Sequence, residues 1–359
     1  MKFCKTYTKS ALITALIIFI SGLVFLLVFP KEARNGGTNG AYLCIQVLIP
    51  SLFPFMVLSD FSVKSGLVSY IPNFVSRITG FLFNLPKEAA AVVILCLMGG
   101  YPVGAKAIKC LYDEGYLSKA QASRMCLFSV ASGPGFLVTY IGAVMTKNLK
   151  LGYFLTLAQT ITVLLLGVLS RLFAEGEKRL NKSGIKCLKP FGEALILSVE
   201  SAVKSTAGLC GLVVLFSAFC EIFLTLTSPF PQLAPLVAFF EITTGVKIIC
   251  RNPNPLLLAF FSGFGGLSVH LQIFLSVKNL KIPKLNFYLF RFLQGLLTSL
   301  ITFLLFKIFP DVKAVFSSVE CAEPKFHSSV LGCFMLIVTS GLFLVILQKQ
   351  NFKRKHRRR

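Results

Sequence analysis

The sequence predicts an all-α polytopic integral membrane protein, and three observations carry that prediction. Of 359 residues, 55% are hydrophobic and only 14% are charged, against about a quarter charged in soluble domains; mean hydropathy is +0.76. The apolar residues fall in runs near the length of about 20 residues that a helix needs to cross a bilayer. Glycine and proline interrupt several of these runs, freeing backbone polar groups that hydrocarbon tolerates only beside protein or a water-lined cavity.

In chain order, Lys2, Lys5 and Lys9 precede the charge-free residues 11–30. This reads as a retained first helix, because no small-x-small cleavage site follows and further membrane segments do. Residues 35–59 are uncharged, with Pro50 and Pro54 near the middle, and residues 63–83 are apolar but carry Lys64, Pro72 and Arg77, so they either cross or lie in the interface. Residues 89–105 carry no charge and lead through Met98-Gly-Gly-Tyr-Pro-Val-Gly-Ala105 to Lys106. Ser118-Lys-Ala-Gln121 has the form of a helix-starting capping box. Residues 125–146, broken by Ser132-Gly-Pro-Gly135, and residues 151–170 lead to a polar connection at 171–204. Apolar stretches at 205–226, 232–246, 252–277, 292–306 and 326–348 bring the total to about eight to eleven segments. The basic tail 353–359 places the C-terminus in the cytoplasm.

The formal charge is +23, but the basic residues sit between apolar segments and at the termini, where they orient spans; nucleic acid is not an expected partner. Eleven cysteines lie mostly inside apolar runs, without C-x-x-C or a zinc spacing, and read as small buried residues. No nucleophile elbow, phosphate loop or metal set is present, so neither an enzyme nor a cofactor or metal is expected.

The chain also matches itself. Ile78-Thr79-Gly80 corresponds to Thr243-Thr244-Gly245, and Gly99-Gly100-Tyr-Pro-Val103 to Gly265-Gly266-Leu-Ser-Val269. A duplicated broken-helix unit is the pattern of secondary transporters. The resulting division is an N-terminal membrane helix and short loop at 1–40, a first repeat with its following helix at 41–173, and a basic connection at 174–204. A second repeat covers 205–309, and a final helix with its basic tail covers 310–359. Orientation stays open. The basic flanks of 252–277 suggest a segment that dips in and returns to the cytoplasmic face, which would put both repeats on one side, whereas an inverted repeat would oppose them.

These motifs, with Glu114-Gly-Tyr-Leu-Ser118, Ser132-Gly-Pro-Gly-Phe136, Ile49-Pro-Ser-Leu-Phe-Pro-Phe55 and Glu241-Ile-Thr-Thr-Gly245, resemble the YlbJ family of sporulation integral membrane proteins. That family lies within the wider nucleoside-recognition or Gate group, and the resemblance runs from about Tyr42 to Lys307. It implies two Gate-like repeats with broken or re-entrant helices, a role in spore development, and kinship with the core of nucleoside transporters. It implies no particular substrate.

The candidate binding residues are Gly99, Gly100, Pro102, Gly104 and Lys106 at the first break, and Ser132, Gly133 and Pro134 at the next. Glu241 and Thr244, then Gly265, Gly266, Ser268, His270 and Gln272, are their counterparts in the second half. Exposed backbone dipoles at the glycines, and ionisable or amide groups inside apolar runs, suit a polar ligand or cation. Against this stand helix packing at Gly100-x-x-x-Gly104, a Lys106 that snorkels to the interface (the favoured reading), an interhelical hydrogen bond for His270, and pairing of Glu241 with Lys247 or Arg251. Arg291 reads as an orientation anchor. The expected partners are the lipid bilayer, a small polar solute or coupling cation, and, as a further candidate, a second copy in a homo-oligomer. The expected location is the cell membrane. The functional expectation is a protein that binds or moves such a solute; the alternative is a membrane scaffold for spore cortex or coat assembly.

Overall fold

The computed structural model describes residues 9–70, 72–174, 189–251, 253–278, 280 and 282–310. The expected last span at 326–348, the basic tail and residues 175–188 of the basic connection lie outside the described residues. Among the described residues there is no strand. The helices are α1 (Lys9–Val28), α2 (Pro30–Leu43), a π-helical turn Cys44–Leu48, α3 (Ile49–Lys64), α4 (Asn73–Phe83), α5 (Ala89–Gly99), α6 (Tyr101–Asp113) and α7 (Lys119–Phe128). A π-helix Gly135–Met145, α8 (Leu149–Ser170), α9 (Phe191–Leu226), a 3-10 stretch Pro231–Phe239, α10 (Ile242–Ile249), α11 (Pro255–Phe264), α12 (Gly266–Ser276) and α13 (Lys284–Ile308) follow.

Four stretches are long and apolar enough to cross a bilayer: Leu149–Phe173, Phe191–Leu226, Pro255–Ser276 and Lys284–Ile308. A fifth is the pair formed by α1 and the helix after it, bent by 99°. The apolar side chains of α1, α8 and α13 that face outward, such as Ile17, Leu165 and Leu300, have the exposure expected of helices solvated by lipid. The chain is therefore a multi-pass protein of the bilayer.

The offset of the sequence match recurs in the helix starts. Helix α5 starts at 89 and α11 at 255, an offset of 166 (255 − 89), and α7 starts at 119 and α13 at 284, an offset of 165 (284 − 119). The run from α2 through the π-turn to α3, residues 30–64, answers to α9 at 191–226. These two long helices pack antiparallel. A Cβ on Gly40 would sit 2.9 Å from Ser217 Oγ, Cys44 Sγ lies 3.8 Å from the Cys210 carbonyl, and Lys64 reaches the Leu197 carbonyl. Equivalent helices that run in opposite directions are the mark of an inverted repeat, so the geometry supports that side of the orientation conflict. Gly36 and Gly40 let the backbones approach, as small-x-x-x-small pairs do in membranes.

Two expectations change. Residues 63–83 do not cross: α4 has 11 residues, about 16 Å of helix against about 30 Å of hydrocarbon, and it turns Phe74, Ile78 and Phe81 outward. Residues 252–277 do not dip and return, since α11 and α12 together make one 22-residue candidate span interrupted at Gly265. The equivalent pair in the first repeat does fold back. Gly104 on α6 packs against Cys96 on α5, where an added Cβ would lie 3.1 Å from that of Cys96. The hairpin turns on Gly100, at φ +84 and ψ −172, a region essentially reserved for glycine.

Candidate functional site

A helix break leaves carbonyls without N–H partners, and in a bilayer each must find another donor. The described residues show where these donors come from. The break at Gly265 frees the carbonyl of Ser262, which accepts from Ser132 Oγ at 2.7 Å and from the Tyr101 hydroxyl, both in the other repeat. The break after α7, at Ser129–Pro134, frees the carbonyls of Leu127 and Val130. Arg291 of α13 takes both, with Nη2 2.7 Å from the first and Nη1 bonded to the second. Arg291 is wholly buried, so it is a cross-repeat staple and not the interfacial anchor expected from its position in the sequence.

His270 belongs to the same group. Its Nε2 lies 2.8 Å from the Phe264 carbonyl, just before the Gly265 break, and its ring packs edge-on against Phe264, Phe287 and Tyr288. It closes a helix end and lines no cavity described below. Ser268 uses its backbone N–H on the Phe240 carbonyl and its hydroxyl to accept from Gln272 Nε2 at 3.1 Å. Gly266 packs against the Ala238 carbonyl, and Gly265 against the Tyr101 ring. Gly104 is spent on the hairpin, and Pro134 heads the π-helix Gly135–Met145.

Seven of the other candidates converge. Gly99, Gly100, Pro102, Ser132, Gly133, Glu241 and Gln272 line one chamber of about 70 Å³ between the repeats, together with Tyr101, Tyr140 and Thr243. Glu241 is buried and caps α10, its Oε2 accepting from Thr244 N at 2.7 Å and from the Thr243 hydroxyl. Neither Lys247 nor Arg251 pairs with it, which removes the competing interpretation of this residue. Tyr140 donates to the Thr243 carbonyl at 3.2 Å. The chamber walls are thus a carboxylate, an amide, hydroxyls and glycine backbone, set among Leu48, Leu52, Phe55 and Leu209.

The chamber continues in both directions. On one side a vestibule of about 600 Å³ shares Val47, Gly135, Tyr140 and Thr243 with it, and adds Gln46, Pro50, Glu221, Thr244, Lys247 and Arg251. On the other side a pocket of about 310 Å³ shares Pro102, Leu209 and Gln272 with the chamber and reaches Lys204, Ser205 and Ser276. Glu221 and Ser205 lie on the same helix, sixteen residues (221 − 205) apart, so the two openings are separated by about 24 Å along α9. The chamber, at about 70 Å³, has room for a few waters but not for a ligand of the size that ordinarily fills about 300–1,000 Å³, so it is the constriction between two wider spaces.

Lys106 departs most from expectation. It does not snorkel; it is buried and meets Asp60 of α3 at 3.2 Å. Asp60 was not singled out in the sequence, since it directly follows an uncharged run and looks like its edge. The same holds for Tyr140, an ordinary aromatic residue in an apolar segment. Among the described residues no group of three or more His, Cys, Asp or Glu side chains could hold a metal ion.

Compared with known proteins, the chain is 25% identical over 341 residues to the sporulation integral membrane protein YlbJ of Bacillus subtilis (strain 168), covering 83% of each. No protein-family model and no solved structure matches it.

Proposed function

On the premise that the chain is a YlbJ-like multi-pass membrane protein, we propose that it serves spore formation by binding and moving a small polar solute between its two repeats. One observation carries this reading: three spaces in series, vestibule, chamber and opposite pocket, cross the bundle between inverted repeats, with the narrow point at the broken helices. Glu241, Gln272, Ser132 and the Gly99–Gly100 backbone are the polar contacts at that point. A solute in the vestibule would reach them when the repeats rock and the chamber opens toward it, and would leave toward Lys204 and Ser276 when they rock the other way. The transporter-like kinship implied by the sequence motifs supports the same reading.

The test is a thermal-shift screen of the purified chain in detergent against nucleosides, bases, dipicolinate-like acids and mono- and divalent cations. A ligand that binds the folded state stabilises it by mass action, by about 2.7 kcal/mol at a hundred times its Kd, and so raises the melting temperature. A shift that Glu241→Gln or Gln272→Leu abolishes, followed by uptake of that ligand into vesicles, supports transport. Silence across the panel, with both variants folded, favours the scaffold reading.

A further inference from the structure

Where α6 packs against α3, one turn beyond Pro102, three charged side chains meet, and two of them, Asp60 and Lys106, are buried. Asp60, 1% exposed, holds Lys106 at 3.2 Å and Lys64 at 3.4 Å on the same oxygen, Oδ2, and Lys64 also donates to the Leu197 carbonyl of α9 at 2.9 Å. Two ammonium groups against one carboxylate leave one uncompensated positive charge. Three polar atoms at the spot have no hydrogen-bond partner: Lys106 Nζ, Asp60 Oδ1 and Ser59 Oγ.

Among the described residues no neighbouring element cancels the charge. On α9, Glu200 pairs with Lys204 at the surface, and on α6, Lys109 pairs with Asp113 further along, leaving Cys110 nearby. Helix α5 offers only Cys96, turned to Ser129. His270 of α12 is held by Phe264, and Arg124 of α7 by the Phe83 and Asn84 carbonyls. Buried ionisable groups inside a membrane protein are expensive and mark proton or ion pathways by default, and a buried lysine gives up its proton more readily than an exposed one.

We propose that Lys106 is a proton-exchange group that couples proton movement to the position of α6. Its ammonium releases one proton to water and becomes a neutral amine, no other reactant being needed. Asp60 and Lys64 then remain as a balanced pair, and the ionic bolt between α6 and α3 is gone. Rebinding the proton restores it. The unpartnered Ser59 hydroxyl and Asp60 Oδ1, with Lys64 at 15% side-chain exposure, mark the polar way to solvent. Lys106 lies six residues after Gly100, about 9 Å along the helix, so releasing α6 moves the chamber wall itself. Its counterpart in the second repeat is Gln272, at an offset of 166 (272 − 106), which cannot carry a proton; the coupling is built into one repeat. The inference rests on the transport reading, to which it adds the coupling ion.

The experiment is a pH step on proteoliposomes of the full chain adsorbed to a solid-supported membrane, with no solute added. Wild type and the exposed-surface variant Lys150→Met should give a transient charge displacement, and Lys106→Met and Lys106→Arg should lose it. The arginine variant keeps the pair with Asp60 but cannot release a proton, so it decides the matter if the methionine variant does not fold. A full transient in folded Lys106→Met or Lys106→Arg, or none in wild type, overturns the proposal. Because no solute is present, that failure is separate from failure of the ligand screen.

Discussion

Replacing Gly100 by alanine should destabilise the protein. The residue sits at φ +84 and ψ −172, where a side chain costs about 1–3 kcal/mol of backbone strain. The new Cβ would also lie 3.1 Å from the Gly133 backbone nitrogen, across the seam between the hairpin and the second break, where backbone has little room to give. A midpoint of about 2 kcal/mol corresponds to about a thirtyfold change in equilibrium. The control is Gly135→Ala in the same chamber, which has no atom within 4 Å of the new Cβ and no left-handed φ; it should be neutral or slightly stabilising. Both are read as melting temperatures in one detergent at one scan rate, since unfolding of such proteins is often rate-governed. A Gly100→Ala protein that melts with wild type and with Gly135→Ala would refute the assignment of the hairpin turn and of the chamber built on it.

Other substitutions separate structure from site. Arg291→Met should cost about 1.5–3 kcal/mol for each charge-assisted bond lost, and Arg291→Lys should not restore stability, because an ammonium cannot fork between two carbonyls; detergent melting measures both. His270→Ala should lower stability by about 2 kcal/mol or more through its lost bond and cavity while leaving any ligand-induced shift intact; loss of the shift in this variant would return His270 to the binding site. Glu241→Ala should cost about 0.5–2 kcal/mol as a lost helix cap and should weaken ligand binding as well, which a titration in the thermal-shift format separates from stability. Gly36→Leu should break the α2–α9 contact, read as loss of monodisperse protein on size exclusion.

The fold was largely legible because membrane burial writes itself as long apolar runs, and because the breaks fall on Gly100, Gly265 and Ser132–Gly135, residue types that cannot continue a helix quietly. The capping box at Ser118 and Gln121 formed as its spacing required. What could not be read was partnership. His270, Lys106 and Arg291 are all polar residues in apolar surroundings, and nothing in their own segments says that one would close a helix end, one would meet Asp60, and one would hold the other repeat's carbonyls. Those partners lie up to 164 residues away. The same ignorance favoured the interface for Lys106, since a lone lysine at the end of an apolar run has no visible reason to stay inside. Seven of the fifteen candidates line the chamber, and Thr244 lies in the adjoining vestibule; these include residues whose own backbone forms a break, for which the local sequence is the cause.

The staple between Arg291 and the Val130 carbonyl also has a consequence for how the chain is made. The two partners are 161 residues apart, and a ribosome working at about 5–20 residues per second needs about 8–30 s to get from one to the other. For that interval the first half has entered the membrane with the carbonyls of Leu127 and Val130 unserved and the chamber open on one side. The insertion machinery, or lipid-bound water, has to shelter that half until α13 arrives, and slowing synthesis between residues 130 and 291 should expose it to membrane proteases.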